Sequence, residues 1–254
     1  MTYKETSLMI EKAIEILNSS RSLFILTGAG ISAESGIPTF RGADGLWKNY
    51  SATDLATPEA FEKNPELVWE WYHWRQGIIL KAEPNPAHFA VAELEKKFNN
   101  FLLLTQNVDN LHRRAGSKKV LELHGNIFRA RCLSCGRIVH HQIEPGKEII
   151  NLPKCDCEGL LRPDIVWFGE QIPQDIWQAS LEFLSAADTS IICGTSGIVW
   201  PAAAIPEMAK KNRAKIIEIN LEPTPISSIV DVSILGKAGE ILPLIIQTLN
   251  PAHL

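Results

Sequence analysis

Short apolar runs that alternate with helical patterns constrain this 254-residue chain more than any other feature. The runs are rich in Val, Ile and Leu, as expected for strands of a parallel sheet that is buried on both faces. The alternation predicts an α/β fold with a doubly wound, Rossmann-like parallel sheet. The predicted strands are Leu23–Leu26, Phe101–Leu104, Val120–Leu123, Thr189–Cys193, Lys215–Ile219 and Val232–Leu235, and the predicted helices are Ser7–Asn18, Pro86–Lys97, Asp175–Ala186, Ala202–Asn212 and Ala238–Leu249.

Two segments interrupt this alternation and predict a smaller module. Residues 37–85 are rich in tryptophan and in helical pattern, and residues 127–163 hold four of the five cysteines. We therefore predict three parts, which are a Rossmann-like domain, a cofactor loop with a helical insertion, and a zinc-binding module. Their limits are residues 1–36, 86–126 and 164–254 for the first, 37–85 for the second and 127–163 for the third.

The cysteine spacing indicates a metal site of the zinc-ribbon type. Cys132 and Cys135 form one close pair, and Cys155 and Cys157 form a second. Four thiolates fill the tetrahedral shell of Zn²⁺ and leave no position for water or substrate, so the ion would be structural. The alternative is four unrelated buried thiols, and the C-x-C spacing of the second pair departs from the usual C-x-x-C. Cys193 lies within an apolar run and is predicted to be a small core residue.

Charge and hydropathy exclude several classes of partner. The formal net charge is −4, which argues against bulk electrostatic binding of nucleic acid or of an anionic membrane. The N-terminal stretch lacks a basic segment followed by an apolar one, and no apolar run approaches the length of a membrane span. We expect a cytoplasmic monomer without a specific nucleic-acid partner.

The first predicted strand leads into a loop that begins like a dinucleotide-binding motif. Gly28, Ala29 and Gly30 supply the tight turn that lets backbone N–H groups approach a phosphate. The third glycine of G-x-G-x-x-G is missing, because position 33 is Ala and the next glycine is Gly36. No acidic residue closes a second strand about 20 residues on, so the motif starts like a dinucleotide-binding loop but is incomplete.

Polar residues follow the other predicted strands at their carboxyl ends. In a doubly wound sheet these ends meet at one crevice, where ligands bind. Gly194, Thr195 and Ser196 can donate to a phosphate, while Asn220 or Glu222 can hold ribose or adenine. Such residues are also common turn formers. The full set after the strands is Gln106, Asn107, Asp109, His124, Gly194, Thr195, Ser196, Asn220 and Glu222.

Several motifs occur together in the order that marks one known family. They are GAGISAESGIPTFRG at 28–42, TQNVDNLHRRAG at 105–116, LHGN at 123–126, the two cysteine pairs, GTS at 194–196 and NLEPTP at 220–225. Over nearly its whole length the chain resembles the sirtuins, which are NAD-dependent protein deacylases. The resemblance implies that acyl-lysine and NAD react to give free lysine, nicotinamide and O-acyl-ADP-ribose.

The resemblance also implies roles for individual residues. Ala29 and Gly30 would bind the NAD diphosphate, Phe40 would cover the nicotinamide ribose, and Arg41 would help to hold the cofactor. The family's ribose contact falls on Gln106, its nicotinamide pocket on Asn107 and Asp109, its catalytic base on His124, and its adenine site near Ala238. The turn before the last helix explains the position of Ala238 equally well.

A tryptophan-rich helix carries a candidate site for the acyl group. Asn64 as N-cap and Pro65 in the first turn begin this helix, and Tyr72 and Arg75 share one face at spacing i, i+3. A phenol and a guanidinium can together bind a carboxylate, although spacing alone also fits a solvated Arg beside a half-buried Tyr. With Ala56, the pair resembles the sirtuin subgroup that removes succinyl and malonyl groups.

The segment from Ile165 to Glu170 is predicted to be a short strand-like edge. By resemblance, Val166, Trp167 and Phe168 would pair with the backbone of the substrate peptide as an added strand. An ordinary core strand is the alternative.

Three functions remain open from the sequence. The leading one is NAD-dependent removal of acidic acyl groups from protein lysine, with some deacetylase activity. The others are mono-ADP-ribosyl transfer and a non-catalytic scaffold that binds zinc and nucleotide.

Overall fold

The computed structural model describes residues 3–39, 47–48, 50–143 and 151–250. The strands are β1 Ser22–Thr27, β2 Asn100–Thr105, β3 Val120–Glu122, β4 Gly125–Cys132, β5 Ile138–His140, β6 Leu161–Ile165, β7 Thr189–Cys193, β8 Lys215–Asn220 and β9 Val232–Leu235. The helices are α1 Tyr3–Ser19, α2 Gly30–Ala33, α3 Ala52–Leu55, α4 Pro58–Lys63, α5 Pro65–Lys81, α6 Pro86–Lys97, α7 Leu111–Arg114, α8 Gln174–Ser185, α9 Ile205–Lys211 and α10 Ala238–Thr248, with 3₁₀ turns at Ala202–Ala204 and Pro225–Ser228.

The larger sheet has six parallel strands in the order β3-β2-β1-β7-β8-β9. The chain runs outward from β1 through β2 to β3, and later builds the other half from β7 to β9. The strand order therefore reverses between β1 and β7, where an α/β sheet forms its ligand crevice. The predicted α/β fold with a doubly wound parallel sheet is confirmed.

Both faces of this sheet are covered by helices. Successive side chains of each strand point to opposite faces, so one strand can contribute to two cores. Leu23 and Ile25 of β1 pack in a core shared with α1, α6 and α10. Phe24 and Leu26 of the same strand pack in a second core shared with α8 and α9.

The predicted strands and helices of the larger sheet all occur, with small shifts at their ends. One helix differs in form, since the segment predicted as Ala202–Asn212 starts as a 3₁₀ turn and becomes the α-helix α9 only at Ile205. Pro206 lies in the first turn of α9, where its missing N–H leaves no helical hydrogen bond unmade.

The smaller sheet is antiparallel and has the order β5-β4-β6. Its strands and helix α5 enclose a third core that includes Trp69, Trp71 and Cys132. Two carboxylates hold Arg129 of β4, Glu122 from the larger sheet and Asp164 from within the smaller one. Glu122 of β3 and Asp164 of β6 each accept a hydrogen bond of 2.9 Å from Arg129 of β4, and Asp164 also accepts 2.8 Å from Arg131.

The predicted strand-like edge at Ile165–Glu170 is wrong beyond its first residue. Strand β6 ends at Ile165, and the following amides turn to different partners. Val166 N donates to His124 O at 3.0 Å, and Phe168 N donates to Ala56 O at 2.9 Å. Gly169 then takes a positive φ of +87°, which turns the chain out of an extended path.

Among the helices of the described residues, none has both the length and the apolar character that a membrane crossing requires.

Candidate active site

The loops after β1 and β7 meet at the point where the strand order reverses. Gly30 N donates to Gly194 O at 2.8 Å, and Gly28 N donates to Cys193 O at 3.1 Å. A Cβ on Gly30 would lie 2.8 Å from Gly194 O, and one on Gly28 would lie 2.8 Å from Thr195 Cβ. The two glycines are therefore required for the close contact between these loops. The sequence motif had indicated only that they suit a tight turn near a phosphate. Ala29 lies between them at the edge of the crevice.

Side chains after β2 and β8 hold the β7 loop in place. Gln106 Nε2 donates to Thr195 Oγ1 at 3.0 Å, and Asn220 Nδ2 donates to Thr195 O at 3.2 Å. Ser196 follows in the same loop and is partly exposed, whereas Glu222 lies beyond β8 and is exposed. The structure thus brings Gln106, Thr195 and Asn220 together.

Asn107 and Asp109 meet through Ser32, a residue that the sequence did not single out as part of the site. Ser32 Oγ donates to Asp109 Oδ2 at 2.7 Å and accepts from Asn107 Nδ2 at 3.1 Å. Asn107 Nδ2 also donates to Gly28 O at 3.1 Å. Both amide hydrogens of Asn107 therefore face protein oxygens, which leaves its carbonyl oxygen to accept from a ligand. A serine after a glycine loop, within reach of β2, was the available signal for this role.

Asp109 is almost fully buried, and burial raises the pKa of its carboxyl group above the usual value. The hydrogen bonds from Leu111 N at 2.9 Å and from Ser32 Oγ, together with the charge of Arg75, act in the opposite direction.

His124 lies between β3 and β4, and its ring has a defined tautomer. His124 Nδ1 is 3.0 Å from Gln106 O, and a carbonyl oxygen can only accept. Nδ1 therefore carries the hydrogen, and Nε2 carries the lone pair of a base. Burial lowers the pKa of His124 below 6.5, against the opposing effect of the Gln106 carbonyl, so the imidazole is neutral at pH 7.

Helix α5 begins as predicted, since Asn64 Oδ1 caps Leu67 N at 3.0 Å and Pro65 occupies the first turn. Tyr72 on this helix is 3% exposed, so the solvated alternative does not apply to the phenol. Its oxygen accepts a hydrogen bond of 2.9 Å from Trp167 Nε1. Burial raises the pKa of Tyr72 far above its usual value, which keeps the phenol protonated.

Arg75 lies one turn further along α5. Its guanidinium carbon is 5.2 Å from the centre of the Trp71 ring. Burial lowers the pKa of Arg75, while the neighbouring Tyr72 and Asp109 act to raise it. Arg75 therefore interacts electrostatically with both Tyr72 and Asp109.

The segment after β6 links the two sides. Through the amides of Val166 and Phe168 it contacts the carbonyl groups of His124 and Ala56, and Ala56 is itself 7% exposed. Phe168 is 45% exposed, whereas Trp167 is buried. Phe40 and Arg41 lie outside the described residues. Ala238 is the first residue of α10 and is 7% exposed.

The four predicted zinc ligands form one cluster. The sulfur atoms of Cys132, Cys135, Cys155 and Cys157 all lie within 4.8 Å of one another. Two of the separations are 3.5 Å, between Cys132 and Cys157, and 3.8 Å, between Cys135 and Cys155. A tetrahedral zinc ion with thiolate ligands requires separations of about 3.8 Å, so the site fits. Cys193 is fully buried in β7, as predicted for a core residue.

A crevice at the switch point of a parallel sheet, with a buried amide, a carboxylate and a neutral imidazole around it, defines a nucleotide-dependent enzyme. A family model described as "Sir2 family" matches residues 28–201. The chain belongs to the Sir2 family, the sirtuins, and the resemblance found in the sequence is confirmed.

Two relatives match this chain over almost its whole length. The chain is 53% identical over 233 residues to NAD-dependent protein deacylase 2 of Pyrobaculum aerophilum, which covers 92% of this chain and 93% of the relative. It is 52% identical over 248 residues to the NAD-dependent protein deacylase of Thermococcus kodakarensis, covering 94% and 95%.

Among solved structures, a Sir2 homologue in complex with NAD superposes with a TM-score of 0.89 at 48% identity, covering 94% of this chain and 93% of that one. A Sir2 complex with a p53 peptide and NAD⁺ has a TM-score of 0.84 at 35% identity, covering 94% and 97%.

Proposed function

We propose that this chain is an NAD-dependent protein-lysine deacylase that prefers succinyl and malonyl groups and retains some deacetylase activity. The observation that carries the acidic preference is the pairing of Tyr72 and Arg75 on one face of α5. A protonated phenol can donate one hydrogen bond and a guanidinium can only donate, whereas a carboxylate can only accept. An acetyl group has no carboxylate for this pair.

NAD fits the crevice at the switch point, because hydrogen-bond donors and acceptors that suit a dinucleotide face it. The amide of Gly30 already donates to Gly194 O, so we assign the NAD diphosphate chiefly to the loop at Ala29 and to the donors of Thr195 and Ser196. The carbonyl oxygen of Asn107 and the carboxyl group of Asp109 are assigned to the carboxamide of nicotinamide. Asn220, Glu222 and Ala238 remain proposals for the ribose and adenine end.

When bound, NAD supplies the ribose carbon that accepts the acyl oxygen as nicotinamide leaves. His124 Nε2 takes a proton from a ribose hydroxyl, since its lone pair is free and the ring is neutral at pH 7. Gln106 holds that ring through its carbonyl oxygen and can contact the ribose with its side chain. Phe168 and Val166 would receive the substrate peptide beside His124 and Ala56.

The cysteine cluster would hold zinc in a structural role. All four positions of a tetrahedral ion would be filled by sulfur, so no ligand position is left for substrate. The cytoplasmic location, the monomeric state and the lack of a nucleic-acid partner stay predictions of the sequence.

One assay with matched peptides tests this function. Purified protein is incubated with NAD and with succinyl-, acetyl- or unmodified lysine in the same peptide, and nicotinamide and peptide mass are followed. We expect kcat/KM for the succinyl peptide to exceed that for the acetyl peptide. Label on protein without an acyl substrate would indicate ADP-ribosyl transfer, and no turnover of any kind would indicate a scaffold.

The substitution Arg75→Met tests the carboxylate site within that assay. Loss of a charged partner should lower desuccinylation by about 10- to 100-fold in kcat/KM, with a much smaller effect on deacetylation. His124→Ala is the matched control, because it should lower both activities by about 100-fold or more. Equal losses for both peptides in Arg75→Met would contradict the assignment.

A further inference from the structure

The hydrogen bond between Trp167 and Tyr72 has a fixed direction. An indole nitrogen can only donate, so the 2.9 Å contact from Trp167 Nε1 occupies an acceptor position of the Tyr72 oxygen. The phenol has one hydrogen, and this bond leaves that hydrogen to donate elsewhere. Without the indole, the same hydroxyl could rotate and present its oxygen as an acceptor.

The indole itself is held from several sides. The guanidinium carbon of Arg162 lies 3.4 Å from the centre of the Trp167 ring, and the Phe61 ring lies 5.3 Å from it, centre to centre. Arg162 Nη2 donates to Glu170 Oε2 at 2.9 Å, and the same Glu170 oxygen accepts from Trp167 N at 2.9 Å. Trp167 is 3% exposed, so its ring has a packed and defined position.

The direction of the bond matters for what the pocket accepts. Arg75 offers only donors, and a Tyr72 hydroxyl locked as a donor adds one more on the same helix face. Two donor groups match an acyl group that ends in a carboxylate. They oppose an acyl group that ends in an amine, whose hydrogens would face donors.

We propose that Trp167 is a specificity-determining positioning residue whose indole N–H fixes the Tyr72 hydroxyl as a donor toward the distal carboxylate of the acyl group. Arg162 and Glu170 support it by holding the ring. The inference rests on the proposed function, because it assumes that an acidic acyl group enters beside Tyr72 and Arg75.

The test is a double-mutant cycle with Trp167→Phe, Tyr72→Phe and the double variant. For each protein, kcat and KM are measured on the succinyl and acetyl forms of one peptide. Trp167→Phe should lower the succinyl-to-acetyl ratio of kcat/KM by about three- to tenfold, mainly through the KM for the succinyl peptide. In the Tyr72→Phe background, the same substitution should leave the ratio within about twofold.

A second variant separates the N–H group from packing. Site-specific replacement of Trp167 by its benzothiophene analogue keeps the ring shape and removes only the donor, and it should reproduce the lower ratio. Equal losses on both peptides, or a reduced ratio that persists in the Tyr72→Phe background, would overturn the positioning role. A wild-type ratio at or below one would instead overturn the acidic preference itself, and the inference with it.

Discussion

The two halves of the site are specified in different ways. On the side that we propose for the cofactor, Gln106, Asn107, Asp109 and His124 follow strands of the parallel sheet and Asn220 ends one, so the strand register places them at the crevice. On the side that we propose for the acyl group, formed by α5 and Trp167, positions depend on contacts between residues far apart in the sequence, such as Tyr72 with Trp167, which are 95 residues apart. The strand register therefore positions the residues on the proposed cofactor side. Long-range tertiary contacts and the cysteine cluster position those on the proposed acyl side.

Removal of the metal should have the largest effect, because it should destabilise the smaller sheet and leave the larger sheet intact. Binding of structural zinc contributes on the order of 10 kcal/mol in small zinc-binding peptides, and here that free energy would support only the smaller sheet. After chelation, or in Cys135→Ser with Cys157→Ser, we expect amide hydrogen exchange to become fast in β4–β6 and to stay slow in β1, β7 and β8.

Native mass spectrometry measures the bound metal. Hydrogen exchange followed by mass spectrometry of peptide fragments measures the protection of each strand. Cys193→Ala is the matched control, since it removes a buried thiol outside the cluster and should leave the metal content unchanged. Retained protection of β4–β6 in a metal-free protein would show that this sheet needs no ion.

Acid should weaken the two halves unequally, because each contains histidines whose pKa is lowered by burial, among them the fully buried His88 and the partly buried His73. Burial lowers the pKa of His88 on α6 and of His73 on α5 to about 4 in the folded protein. The unfolded chain then binds more protons than the folded one below pH 6.5, so stability is complete above that pH and is lost as pH falls toward 4. His88 is fully buried, and its shift corresponds to about 3 kcal/mol by pH 4.

Urea unfolding between pH 4 and 7.5 measures this loss. His88 Nδ1 accepts from Asn85 N at 3.2 Å in a capping box, a role that glutamine also performs. His88→Gln should therefore keep stability near neutral pH and flatten its fall in acid more than His73→Gln does, because His73 is only partly buried. An unchanged slope in His88→Gln would place the acid sensitivity elsewhere.

The smallest expected effect comes from two helix caps of the same residue type. Asn64 at the start of α5 is exposed, and Asn64→Ala should lower the free energy of unfolding by about 1 kcal/mol. Asn85 at the start of α6 caps Ala87 N at 2.9 Å and also donates to Ile31 O at 2.8 Å. Asn85→Ala should cost about 2–3 kcal/mol, since it leaves a buried carbonyl group without its donor.

Aspartate variants separate the capping role from the donor role, because aspartate keeps the capping oxygen and loses the amide hydrogens. Asn64→Asp should be nearly neutral in urea unfolding, whereas Asn85→Asp should remain destabilising. Equal costs at both positions would contradict the difference in burial.

The sequence predicts the strands of the larger sheet and the polar residues at their ends because these signals are local. Apolar runs gave the six strands, and polar residues after them gave Asn107, Asp109 and His124. Ser32 was missed, since its role depends on a contact across 77 residues with Asp109. The path of residues 166–170 was mispredicted, because apolar side chains there suggested a strand while their amides are taken by His124 and Ala56.

Those two amide contacts also limit how this enzyme can change. One short stretch of backbone contacts His124, which we propose as the base, and Ala56, which we propose widens the acyl pocket. Substitutions within it will alter turnover and acyl choice together, so mutations at positions 56, 124 and 166–168 will show strong epistasis. New acyl specificities should therefore evolve more readily through α5, where a side chain can change without displacing the base.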